Sequence, residues 1–96
     1  MSLLQKIQEE RNSILEIASK HGAYNVRIFG SAARGEEKEE SDIDLLVNFE
    51  EGRSLFDLIR FKQELEERFG YSVDIVTEKS LHPLIQNKVL GEAIQL

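Results

Sequence analysis

Val26 to Val47 reads VRIFGSAARGEEKEESDIDLLV. An apolar run, Val26-Arg27-Ile28-Phe29, ends in Gly30-Ser31. A charged stretch follows, and Ser41-Asp42-Ile43-Asp44 then leads into a second apolar run, Leu45-Leu46-Val47. Two carboxylates two residues apart at the start of a buried strand are costly unless something positive sits on them. A Gly-Ser turn at the end of a neighbouring strand lets a backbone approach a phosphate closely. Together these features point to a site for a cation and a nucleotide.

The surrounding chain limits what such a site can be. Ninety-six residues, 41% hydrophobic and 31% charged, suit one domain over 1–96 with an adequate core. There is no Cys, so disulfides, thiolate metal sites and Cys nucleophiles are excluded. Two His, His21 and His82, do not build a zinc site, which leaves a hard cation on carboxylates, Mg²⁺ first. A net charge of −6 disfavours direct nucleic-acid binding. The apolar runs fall far short of a membrane span and the N-terminus lacks a signal-peptide core, so the expected location is cytoplasmic.

Outward from the central stretch, periodicity predicts the other elements. Ser2 to about Lys20 reads as one helix, with a Ser2/Gln5 capping box. Its inner side carries Leu4, Ile7, Arg11, Ile14, Leu15 and Ala18, and His21-Gly22 is its stop. Val26 to Phe29 and Ile43 to Asn48 are strands, with one helical turn around Ala32-Ala33-Arg34 compatible with the linker. Ser54 caps a helix to Phe69, with Leu55, Leu58, Ile59, Lys62, Leu65 and Phe69 as its stripe. Tyr71 to Thr77 is a third strand containing Asp74. A helix from Pro83 to about Leu90 closes at Gly91, and 93–96 is either an edge strand or a frayed tail. The order α-β-β-α-β-α-(β) predicts an α+β fold with a small mixed sheet.

Connection lengths bring distant residues together. The short link between the first two strands favours an antiparallel pair, so Gly30-Ser31 lies beside Asp42 and Asp44. A full helix joins the second and third strands, the mark of a parallel crossover. If those strands are neighbours, Asp74 starts at the same edge. Residues i and i+2 of a strand share a face, so Asp42 and Asp44 reach the same cations. Three carboxylates this close repel one another unless a cation intervenes, and two Mg²⁺ roughly 3.5–4 Å apart are the arrangement that serves in-line phosphoryl displacement.

Gly30-Ser31, ten residues, then Asp42-Ile43-Asp44 is the G-S-x10-D-x-D signature, and it resembles the polymerase-β-like nucleotidyltransferases. Ser31-x-x-Arg34-Gly35, Ser41-Asp42-Ile43-Asp44-Leu45 and Val73-Asp74-Ile75-Val76 resemble the minimal nucleotidyltransferase (MNT) family in particular. The similarity spans Val26 to about Ile94. It implies that Asp42 and Asp44 bind Mg²⁺, two ions in all, with Mn²⁺ as the alternative. It implies that Asp74 completes the metal site, as ligand or general base, and that Gly30 and Ser31 hold the terminal phosphates of ATP. Arg34 is implied to assist with phosphate charge. The family implies transfer of AMP from ATP to a Tyr of a small helical HEPN-type toxin, with this chain as antitoxin. The alternatives are a nucleotide-binding module that neutralises its partner by steric contact, or transfer to a small molecule. A lone core of this size must borrow its acceptor surface from a partner or from a second copy of itself.

Other residues have simpler readings. Arg34 can instead pair with the acidic run Glu36-Glu37-Lys38-Glu39-Glu40. His21 and His82 read as helix-end residues, Phe29, Phe49, Phe56, Phe61 and Phe69 as core, and Tyr24 and Tyr71 as strand-edge tyrosines.

Overall fold

The structure is a computed structural model that describes residues 3–35 and 43–96. Asp42, Ser41 and the acidic run before them lie outside the described residues, as does the Ser2 cap.

Two helices, α1 (Leu3–Glu9) and α2 (Arg11–Lys20), precede β1 (Ala23–Phe29) and a short α3 (Gly30–Arg34). Then come β2 (Ile43–Phe49), α4 (Leu55–Phe69) and β3 (Val73–Thr77). A 3-10 turn (Glu78–Ser80), α5 (Pro83–Glu92) and β4 (Ile94–Gln95) complete the chain. The sheet order is β3-β2-β1-β4. β1 runs antiparallel to β2 and to β4, while β2 and β3 are parallel, as their helical crossover requires. This is the expected α+β fold with a small mixed sheet, and the last segment is a strand.

Alternation along the strands sorts the two faces. Val26 and Ile28, Ile43, Leu45 and Val47, and Val73 and Ile75 are buried in one cluster with Leu3, Ile7, Ile14, Ala18, Phe61 and Leu65 of the helices. Arg27, Asp44, Leu46, Asn48 and Asp74 alternate to the other face. That face is largely polar, although Leu46 is itself fully buried.

Three expectations need correction. The first helix bends at Glu10, whose N–H is shared between the carbonyls of Lys6 and Ile7. A straight helix would set Arg11 between Ile7 and Ile14 on the core side; with the bend Arg11 is exposed. On α4 the buried side chains are Phe61 and Leu65, with Leu58 and Phe69 partly covered. Leu55 and Phe56 are about 70% exposed and Ile59 is also exposed, so Phe56 is not core. The helix turns the Phe61 ring inward, and Lys62 falls to the flank, where Nζ donates to the Val73 carbonyl at 2.8 Å. Finally, α5 continues through Gly91 to Glu92, because the chain passes from Ala93 straight into β4 and needs no left-handed cap.

Among the described residues the polar face holds one buried cation, Arg27, at 8% exposure. A bulge between Tyr24 and Arg27 makes room for it, with Asn25 at φ +53, a conformation Asn tolerates. Arg27 Nε donates to the Asn25 carbonyl, Nη2 to Asn48 Oδ1 and Nη1 to Glu78. Asn48 Nδ2 closes the ring on Glu78 at 2.9 Å. Asn48 and then Arg27 hold the Glu78 carboxyl below its ordinary value. Its stabilising contribution is therefore present above the ordinary carboxyl pKa and is lost as pH falls through the lowered one. Glu78→Gln is expected to flatten the loss of urea stability between neutral pH and about pH 3.5, relative to wild type. Parallel acid limbs for the two proteins would contradict this role.

Candidate active site

β1, β2 and β3 end or begin at one edge. Phe29 pairs with Asp44 across the antiparallel ladder, and Asp44 pairs with Asp74 across the parallel one. The two carboxylates therefore sit on adjacent strands in the same register. Asp74 is exposed and Asp44 half-buried. Their strand neighbours Ile43 and Val73 point into the helical layer and help line a cavity of about 310 Å³ beside Leu3, Ile7 and Phe69, with Lys6, Glu10 and Arg68 also in its lining. That cavity lies on the other side of the sheet from the carboxylates.

Gly30 follows directly on Phe29 and has φ +76. A Cβ there would stand 2.3 Å from Asp44 Oδ2. Both the backbone angle and the Asp44 carboxylate thus exclude a side chain. Ser31 is the next residue, partly covered, in α3. Gly35 ends that turn with φ +71.

Arg34 finds a partner that the sequence reading did not identify. Its Nη1 lies 3.1 Å from both carboxylate oxygens of Glu92, the last residue of α5. The Gly30 N–H donates to the same carboxylate at 3.2 Å. The register of β4 explains this. Ile28 pairs with Ile94, and continuing outward by two residues sets Glu92 opposite Gly30. Because 93–96 reads equally as strand or tail, that pairing left no signal in the sequence.

The two His sit in structural roles. His21 caps α2 and its Nε2 is 2.9 Å from Glu64, whose carboxyl His21 and then Lys20 hold below its ordinary value. His82 caps α5, its Nδ1 accepting from the Leu84 N–H.

The donor chemistry suits a hard cation. Asp44 and Asp74 offer carboxylate oxygens side by side, with no softer ligand type called for. Among the described residues no three acidic or imidazole side chains form a metal cluster. Asp42, the third member of the expected set, lies outside the described residues.

A nucleotidyltransferase domain model matches residues 10–96. A Methanocaldococcus jannaschii protein provisionally named a protein adenylyltransferase is 51% identical over 90 residues, covering 94% of this chain and 97% of that protein. The protein adenylyltransferase MntA of Thermococcus cleftensis is 42% identical over 91 residues, covering 90% and 92%. A solved structure provisionally described as a minimal nucleotidyltransferase superposes with a TM-score of 0.88 at 50% identity, covering 100% of this chain and 97% of that one. At the level of fold alone, the chain resembles one in a complex of a tri-AMPylated Shewanella oneidensis HEPN toxin with an MNT antitoxin. There the TM-score is 0.69 at 20% identity, with 92% of this chain and 69% of that one covered.

Proposed function

Since the chain belongs to the nucleotidyltransferase family, in its minimal (MNT) form, we propose that it is an Mg²⁺-dependent protein adenylyltransferase. In this reading it transfers AMP from ATP to a Tyr hydroxyl of a HEPN-type partner, and so acts as the antitoxin of a pair. One observation carries the reading: Asp44 and Asp74 are paired in register, with Gly30 packed so closely on Asp44 that no side chain fits between them.

Each residue then has a part. Asp44, with Asp42 and Asp74, would hold Mg²⁺, which when bound supplies charge to polarise the phosphates and neutralise the leaving group. The Gly30 backbone, Ser31 and Arg34 would hold and orient the terminal phosphates of ATP. The acceptor hydroxyl oxygen forms a bond to the α-phosphorus as the bond to pyrophosphate breaks. Its proton goes to a carboxylate, and Asp74, the exposed member of the pair, is the one open to the acceptor side. Rate enhancement in such a site comes mainly from positioning and electrostatics.

The polar sheet edge is open toward solvent at Asp74, which suits an acceptor carried on another protein. The test is incubation of the chain and its co-purified partner with ATP labelled in the α-phosphate. Label is expected on a partner Tyr, and label that stays in ATP or goes only to small molecules would overturn the reading.

A further inference from the structure

Glu92 is placed where a carboxylate has little reason to be. It is the last residue of α5, at the negative end of the helix dipole, where an acidic side chain is disfavoured. It is bonded to the amide of Gly30, the residue on which the Asp44 carboxylate also packs. What holds it is the Gly30 N–H at 3.2 Å and Arg34 Nη1 at 3.1 Å. Those are two of the three groups assigned above to the nucleotide's phosphates. The Glu92 side chain is 20% exposed and that of Arg34 41%, so the pair is reachable by a ligand from solvent.

We propose that Glu92 is an internal anion that competes with the nucleotide's phosphates for the Gly30 amide and Arg34, and so sets the affinity of the site. This rests on the nucleotide reading and deepens it. A polyphosphate presents several anionic oxygens to the Gly30 amide and Arg34 and is held as well through its cations at the neighbouring carboxylates, so it can displace one carboxylate, while anions lacking those further contacts are turned away. Because α5 leads directly into β4, release of Glu92 also loosens the join between α5 and the sheet edge.

The experiment is calorimetric titration of wild type and Glu92→Gln with a non-hydrolysable ATP analogue in the presence of Mg²⁺. Gln keeps the shape and can still accept from the Gly30 amide, and a matching thermal midpoint without ligand checks that the fold is kept. Glu92→Gln is expected to bind about three- to tenfold tighter, the scale of a partly exposed charged hydrogen bond no longer opposing the ligand. Glu92→Asp, which keeps the charge, is expected not to tighten binding. If wild type binds and Glu92→Gln binds equally or more weakly, the competition is refuted, and Glu92 serves to aim Arg34. If no protein binds the analogue, the nucleotide reading fails and this inference falls with it.

Discussion

Asp44→Asn is expected to leave the fold intact and to lower AMP transfer on the order of 10²–10³-fold, the range seen when one preorganised electrostatic group is lost from a transition-state site. The asparagine keeps the size of the side chain that packs on Gly30, so β1 and β2 keep their pairing. It loses the negative charge that would hold Mg²⁺ next to Asp74. The measurement is the initial rate of label transfer to the partner at saturating ATP, with the partner's silencing followed in parallel. A rate within a few-fold of wild type would show that Asp44 does not hold the metal. Lost transfer with the partner still silenced would mean that steric contact neutralises the partner.

Phe61→Ala is expected to destabilise the protein by about 3–5 kcal/mol, the usual cost of truncating a fully buried aromatic ring. Phe61 has 0% exposure and meets Phe49 edge-on, with centroids 6.5 Å apart. The His21 ring lies 6.2 Å away on another side. A domain with a total stability of roughly 5–15 kcal/mol loses much of its margin through that one change. Ile59→Ala, at a 38% exposed position of the same helix, is expected to cost less than about 1 kcal/mol. Urea midpoints of the two variants test this. Equal shifts would mean that α4 presents a different face to the sheet.

This contrast also marks where the sequence was legible. The stripe read from the sequence runs through Leu55, Leu58, Ile59, Lys62, Leu65 and Phe69, and the buried face is rotated from its centre: Phe61 and Leu65 are buried and Leu58 and Phe69 partly covered, while Leu55 and Ile59 are exposed. Lys62 inside that stripe was the available clue, since a lysine in a core is costly. The convergence of Gly30, Asp44 and Asp74, by contrast, was readable from chain lengths. A short link gives an antiparallel pair, a helical link gives a parallel one, and the register then places Asp44 between Phe29 and Asp74. That Gly30 leaves no room for a Cβ against Asp44 was not readable, because it depends on a backbone angle and a side-chain position. Glu92 was beyond reach for the same reason. Two strand residues, Ile94 and Gln95, are too few to fix a register from sequence. The bend at Glu10 is intermediate, since Arg11 among apolar neighbours signals it only in hindsight.

The central claim is that the Asp44–Asp74 edge holds the cations of a bound nucleotide. Its most direct measurement is the anomalous signal of Mn²⁺ in crystals of the chain grown with a non-hydrolysable ATP analogue. The account predicts peaks at the carboxylates of Asp42, Asp44 and Asp74, with the analogue's terminal phosphates on Gly30 and Ser31. Mn²⁺ bound elsewhere, with none at Asp44, would contradict it.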